Sequence, residues 1–262
     1  MVDCVASLGC MPFEMDDWKV DVAMSGSQKG LMTPPGLAFV AANDRALAAH
    51  EKADLRTRYW DWTFRMGQVH YQKYGGTPPQ HLLFALRKAL DLLLAEGLPH
   101  AARRHALLSE ATRRAVARWA EGGALAFNVT EPAERGNSVT TVLTPGLDPK
   151  PLLDYCRFQC GVVVGVGIGE LSGKAFRIAH MGHVNAPMVI GTLAAVAPVA
   201  GLTWASLGVT MTSIGRSWSP RPSPWQKLRP KGARPRALRP ATAAWGLAWR
   251  CAQPSAWTSR AR

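Results

Sequence analysis

The chain has 262 residues, 47% of them hydrophobic, which is enough for one large domain or two modest ones with a buried core. Its net charge of +13 would suit a nucleic-acid-binding protein, but residues 206–262 hold 11 of the 31 basic residues and none of the 18 acidic ones. The first 205 residues are thus nearly neutral, and five cysteines without a CxxC pair indicate neither a disulfide framework nor a zinc site.

Three short apolar runs open the chain and predict strands over residues 2–6, 20–25 and 37–41. Continuous apolar character is typical of a sheet that is covered on both faces. Because the chain begins directly with such a strand, "MVDCVASLG", we expect it to enter its fold partway through. Asn43 or Asp44 then predicts the start of a short helix over 45–50.

Residues 59–76 are aromatic and without a regular period, and they predict an irregular segment. Pro78 and Pro79 precede a predicted helix over 81–95, which Gly97 ends. One broad stripe of that helix carries its leucines, Leu82, Leu83, Leu86, Leu90, Leu93 and Leu94. A second helix, basic on its outer face, is predicted over 101–120.

The period then changes to that of strands, which predicts a strand-rich second domain after a helical spacer. The predicted strands cover residues 124–129, 138–143, 161–166 and 176–180. We therefore divide the chain into a first domain with a helical spacer (1–95), a strand-rich second domain (96–193) and a basic tail (194–262).

The C-terminal part of the chain is unusual in two ways. Residues 184–215 lack charged side chains, but Pro187, Pro198 and several Gly, Ser and Thr residues argue against a membrane span. Six of the ten tryptophans then lie from Trp204 onward, among Arg and Pro and without any period. We interpret this tail as disordered or as the product of a reading-frame shift; nucleic-acid binding by residues 206–262 is the alternative.

The chemistry centres on "SGSQKG", where Lys29 follows an apolar strand and has no acidic residue within seven positions. Asp3 stands in the preceding strand, 26 residues earlier, so both side chains can face one crevice at the carboxyl edge of a sheet. A structural salt bridge is one interpretation of the pair. The other is a ligand between them, and pyridoxal phosphate fits, since a lysine can bond its aldehyde while an aspartate holds its ring nitrogen protonated.

A longer sequence carries a family resemblance: "DCVASLGCMPFEMDDWKVDVAMSGSQKGLMTPPG" resembles the cofactor-lysine region of class V aminotransferases, in the serine–glyoxylate and alanine–glyoxylate group. The resemblance continues through "YGGTPPQHLLFALRKALDLLLAEGL", "FNVTEPAERGNSVTTVL" and "GVGIGELSGKAFRIAHMGHVNAPM", to about Leu193. It implies an α/β fold of the PLP-transferase fold type I, with part of the large-domain sheet and a small C-terminal α/β domain.

The resemblance also implies residue roles. Lys29 matches the lysine that bonds pyridoxal phosphate as a Schiff base, Asp3 matches the partner of the pyridine nitrogen, and Arg177 matches the arginine that grips the substrate carboxylate. Ser27 and Gln28 match residues that line the cofactor beside the lysine. Tyr74 and Thr77 match phosphate ligands that the family takes from the neighbouring subunit.

The activity implied is transfer of an amino group from serine or alanine to glyoxylate, giving glycine and a 2-oxo acid. The family implies a homodimer in the cytoplasm, with the peroxisome as the eukaryotic alternative, and no metal, nucleic-acid or membrane partner. The resemblance lacks the family's beginning, with its phosphate-binding helix and stacking aromatic residue, and the family's last helices. The alternative is therefore a truncated, non-catalytic fragment, and we expect little or no activity from the isolated chain.

Two other motifs are weaker signals. "GVGIGE", residues 165–170, resembles part of a dinucleotide fingerprint but lacks its last glycine and a following helix. His180 and His183 flank Met181 and Gly182, and without nearby carboxylates we interpret them as structural or supporting residues rather than metal ligands.

Overall fold

The structure is a computed structural model that describes residues 1–198. A three-stranded sheet opens this part of the chain, with the order β1 (Val2–Asp3), β2 (Val22–Gly26) and β3 (Ala38–Ala42). Strand β1 pairs parallel to β2, and β3 pairs antiparallel to it. Strand β1 is shorter than predicted because the amides of Ser7 and Leu8 turn back to bond the carbonyl of Cys4.

Helices fill the middle of the described chain: α1 (Asp44–Glu51), α2 (Trp62–Arg65), α3 (His70–Tyr74), α4 (Gln80–Glu96) and α5 (Leu98–Ala120). Of the two predicted caps of α1, Asn43 and Asp44, the structure has Asn43, whose side chain accepts the amide of Ala46 at 3.0 Å. Gly97 ends α4 with a φ of +85°, as predicted for a glycine at a helix end. The irregular segment predicted over 59–76 in fact contains α2 and α3, which are too short to show a hydrophobic period.

A four-stranded antiparallel sheet follows, in the order β4-β5-β7-β6. Its strands are β4 (Ala126–Phe127), β5 (Val139–Leu143), β6 (Gly165–Val166) and β7 (Ala175–Ala179). Each lies within or next to a predicted strand, but β4 and β6 keep only two residues. Two helices that we did not predict complete this part, α6 (Lys150–Phe158) and α7 (Ala186–Val196).

Two apolar clusters hold these elements together. The larger joins the second sheet to α5, α6 and α7 and includes Phe176 and Ile178, which are 0% and 2% exposed. Burying a side chain of this size contributes about 1.5–3 kcal/mol. The smaller cluster contains Leu31, Leu93 and Ala101, so the turn just after Lys29 is anchored against α4 and the start of α5.

None of the helices in residues 1–198 combines the length and the hydropathy that a membrane span needs. Nearly all of the basic tail predicted over 194–262 lies outside the described residues. The domain boundaries given above stay a prediction.

Candidate functional site

Asp3 and Lys29 lie at the same edge of the first sheet. Strands β1 and β2 run parallel, with Asp3 opposite Met24, so both strands end at this edge. Asp3 is the last residue of β1, and Lys29 follows the last residue of β2 by three positions. The carboxyl edge of parallel strands is where open α/β sheets bind ligands.

The loop that carries Lys29 is closed by hydrogen bonds from the fully buried Ser27. Its amide donates to the carbonyl of Leu37 at 3.0 Å, and its hydroxyl donates to the carbonyl of Pro34 at 2.8 Å and accepts the amide of Leu37 at 3.3 Å. Thr33 adds a hydroxyl bond to the Ser27 carbonyl at 2.8 Å. Ser27 thus builds the loop, and its role as a cofactor contact stays a prediction.

The Lys29 side chain is half-buried, and within residues 1–198 its amine has no hydrogen bond or ion pair. Asp3 is exposed, and its Oδ1 accepts the amide of Val5 at 2.8 Å. The salt bridge that the spacing left open is therefore not formed in this part of the chain. Gln28, beside the lysine, is exposed.

Arg177 lies on β7 between Thr141 of β5 and Gly165 of β6. Its Nε donates to the carbonyl of Val166 at 2.7 Å. A Cβ atom at Gly165 would lie 3.3 Å from the Cβ of Arg177, so the glycine leaves room for the arginine side chain. In this chain "GVGIGE" therefore borders the arginine strand, and its last two residues begin a short 3-10 turn over Gly169–Leu171.

The arginine strand leads directly to the lysine loop. Five residues after Arg177, Gly182 lies against the carbonyl oxygen of Lys29, to which a Cβ atom on the glycine would come within 3.3 Å. Five residues span at most about 18 Å of extended chain. The strand of Arg177 and the loop of Lys29 are thus connected through Gly182, and a joint role of Asp3, Lys29 and Arg177 stays a prediction.

Tyr74 and Thr77 are not part of that arrangement. Both are exposed, and Tyr74 lines a cavity of about 640 Å³ between β3 and the segment from Tyr59 to Pro79. Neither Asp3 nor Lys29 lines this cavity. The resemblance assigns Tyr74 and Thr77 to the neighbouring subunit's site. Because the structure contains a single chain, their role stays a prediction.

The two histidines of "HMGH" differ. His180 is fully buried between Thr140 and the carbonyl of Asn137, and burial lowers its pKa to about 4. His183 is exposed. Residues 1–198 contain no group of three or more His, Cys, Asp or Glu side chains placed to hold a metal ion.

Sequence reasoning missed His105 and Arg104 of α5, which bond the backbone of Gly182 beside the lysine loop. His105 is separated from Gly182 by 77 residues and Arg104 by 78. The only sequence signal was a histidine and an arginine in a helix that we read as merely basic.

Comparisons with known proteins identify the family of the chain. The family model described as "Aminotransferase class-V" matches residues 1–213. The chain is 39% identical over 199 residues to the serine–glyoxylate aminotransferase of Methylorubrum extorquens, covering 74% of this chain and 48% of that protein. It is 38% identical over 203 residues to the serine–glyoxylate aminotransferase of Arabidopsis thaliana, covering 75% of this chain and 48% of that protein.

Among solved structures, the alanine–glyoxylate aminotransferase from Nostoc sp. superposes with a TM-score of 0.63 at 32% identity, over 76% of this chain and 52% of that one. The predicted α/β fold of fold type I is thereby confirmed. The chain spans about half the length of the curated relatives it matches. With its matched model, its relatives and its fold in agreement, the chain belongs to the class-V aminotransferase family.

Proposed function

We propose that the chain binds pyridoxal phosphate through Lys29 and serves the transfer of an amino group from a small amino acid, serine or alanine, to glyoxylate. The products are glycine and a 2-oxo acid. The observation that carries the proposal is the position of Lys29, a half-buried residue that lies at the same sheet edge as Asp3 and whose amine has no ion pair within residues 1–198. The names of the relatives in Methylorubrum and Arabidopsis, and of the Nostoc structure, support the choice of substrates.

The residues at this edge fit the cofactor. Only Oδ1 of Asp3 accepts a hydrogen bond within residues 1–198, so Oδ2 can accept one from a protonated pyridine nitrogen. Within residues 1–198 the two groups do not pair with each other, so a ligand that bonds the amine and donates to the carboxylate can join them. Pyridoxal phosphate supplies an electron sink for the charge left on the substrate when its α-proton departs.

Lys29 would have two tasks. Its Nζ would hold the cofactor, and in each half-reaction the same Nζ would carry a proton between the substrate's Cα and the cofactor's aldehyde carbon. Both tasks need an accurate placement of the amine. The hydrogen-bonded loop from Ser27 to Leu37 provides a rigid base for that placement.

Arg177 would hold the carboxylate of each substrate. Its Nε is already bonded to Val166, which fixes the side chain and leaves the two terminal nitrogens for a bidentate contact. A lysine could not make that planar contact. The same group would serve serine, alanine and glyoxylate, which share only the carboxylate and the carbon next to it.

The proposal includes the homodimer and the cytoplasmic location expected from the resemblance. The exposure of Tyr74 and Thr77 supports the dimer, since a residue that serves a neighbouring subunit must lie on the surface of its own.

An assay of glycine formation tests the proposal. The purified chain is incubated with pyridoxal phosphate, L-serine or L-alanine, and glyoxylate, and compared with Lys29→Ala and with Lys150→Ala, which removes an exposed lysine of α6. We expect slow glycine formation that only Lys29→Ala abolishes. Cofactor attachment without any glycine would favour the non-catalytic alternative, and equal rates in all three proteins would contradict the proposal.

A further inference from the structure

Helix α5 holds the backbone of Gly182 at both of its polar groups. The amide of Gly182 donates to Nε2 of His105 at 3.0 Å, and its carbonyl accepts from Nη1 of Arg104 at 2.8 Å. His105 is fully buried, and its Nδ1 lies 2.7 Å from the carbonyl of Ala101. This second contact places the ring proton on Nδ1, so Nε2 is the acceptor that the glycine needs.

Arg104 is itself held in place. Its Nε and Nη2 donate to the two carboxylate oxygens of Glu96 at 2.7 and 2.8 Å, which is the bidentate geometry of a strong ion pair. Its Nη1 also donates to the carbonyl of Val184 at 3.0 Å. The arginine thus ties the loop after β7 to the end of α4 and the start of α5.

The other side of Gly182 faces the lysine loop. Its φ of +83° would strain any other residue, and at 3.3 Å from the Lys29 carbonyl oxygen a Cβ atom would be tightly crowded. On the far side, a Cβ atom on Gly30 would lie 2.1 Å from the carbonyl of Leu8. The backbone of Lys29 and Gly30 is therefore enclosed between the loop after β7 and the turn after β1.

Neither of the two polar side chains reaches the reacting groups, yet both determine where Gly182 lies. We propose that His105 and Arg104 are positioning residues for Lys29: they hold Gly182 against the lysine carbonyl and thereby fix the backbone from which the amine extends. The inference rests on the proposed role of Lys29. Displacing a reacting group by about 1 Å costs roughly 100-fold in rate, so a contact of this kind matters even far from the chemistry.

The first test uses the unaltered chain without cofactor. Hydrogen exchange followed by mass spectrometry or NMR reports the protection of the Gly182 amide. We expect it to exchange at least 100-fold more slowly than the amide of Gly173, an exposed turn glycine with a similar φ of +71°. Equal exchange rates would show that His105 does not hold this amide, and would overturn the proposal.

The second test compares two glycine substitutions. Gly182→Ala and Gly123→Ala both place alanine at a positive φ, +83° and +77°, but a Cβ atom on Gly123 meets no atom within 4 Å. Trace labelling with acetic anhydride measures the reactivity of the Lys29 amine relative to Lys150 in the same molecule. We expect Gly182→Ala to change this ratio at least threefold and Gly123→Ala to leave it unchanged.

A pair of His105 variants separates positioning from packing. Glutamine can accept the Gly182 amide in place of Nε2, whereas leucine cannot, so His105→Gln should restore the labelling ratio that His105→Leu changes. A ratio that stays at the wild-type value in Gly182→Ala and in His105→Leu, with only the melting temperature lowered, would show a purely structural role. Because labelling needs no cofactor, it distinguishes failure of the positioning idea from failure of Lys29 to bind pyridoxal phosphate.

Discussion

His180, which follows β7, and Thr140 of β5 form a buried hydrogen bond, with 2.9 Å between Nε2 of the ring and the threonine hydroxyl. On its other side, Nδ1 lies 3.0 Å from the carbonyl of Asn137. Nδ1 thus donates and Nε2 accepts, so the contacts suit the neutral ring. Burial lowers the pKa of His180 to about 4, and the nearby charges of Arg113 and His105 act in the same direction.

This histidine should make the fold sensitive to mild acid. The unfolded chain protonates His180 below pH 6.5, whereas the folded chain does so only near pH 4. The unfolded state therefore binds more protons between these values, and its free energy falls relative to the folded state as the pH drops. We expect protonation of His180 in the unfolded chain to lower the unfolding free energy by about 3 kcal/mol between pH 7 and pH 4, as measured by urea denaturation.

His180→Gln provides the control for that measurement. The variant cannot titrate, so the decline in its unfolding free energy should be shallower by the same amount. Part of the decline should remain, because burial also lowers the pKa of His105. Identical pH profiles for the two proteins would contradict the prediction.

The loop of Lys29 should depend on the hydroxyl of Ser27. Ser27→Ala removes a donor to Pro34 and an acceptor for Leu37 in a fully buried position. We expect a loss of about 1–3 kcal/mol in unfolding free energy, since the carbonyl of Pro34 and the amide of Leu37 would lose their hydrogen bonds to this hydroxyl. Ser172→Ala, at an exposed turn, should change it by less than about 0.5 kcal/mol, and equal effects of the two would argue against the hydroxyl's role.

Arg177 should control the affinity for carboxylate substrates. Losing a charge-assisted contact of about 1.5–3 kcal/mol predicts a rise of roughly 10- to 100-fold in the KM for the amino donor in Arg177→Ala. Arg177→Lys should recover only part of the lost affinity for the donor, because an ammonium group lacks the planar fork of a guanidinium. Arg157→Ala on α6 is the matched control; where turnover is slow, titration of the cofactor-loaded chain with serine gives the same comparison.

Local signals predicted much of the fold. Asn43 marked the start of α1 and Gly97 the end of α4, because capping depends on residues within one turn. The helices α6 and α7 had comparable signals that we did not use. Asp148 accepts the amide of Lys150 at 2.9 Å before α6, and Asn185 accepts the amide of Met188 at 3.1 Å at the start of α7.

The parts of the site that could not be predicted depend on distant contacts. "SGSQKG" singled out Lys29, and an acid within an apolar run singled out Asp3, although the structure leaves that acid exposed rather than buried. Nothing in the sequence around Gly182 indicates that it packs against the carbonyl of Lys29, 153 positions earlier, or that its amide donates to His105. Such contacts arise only when the two sheets and α5 have packed.

The most direct test of the account is the site at which pyridoxal phosphate attaches. The chain is incubated with the cofactor, reduced with sodium borohydride to make the bond permanent, digested and examined by peptide mass spectrometry. The account predicts one pyridoxyl group per chain, on Lys29. No attachment, or attachment spread evenly over Lys29 and exposed lysines such as Lys88 and Lys150, would contradict it.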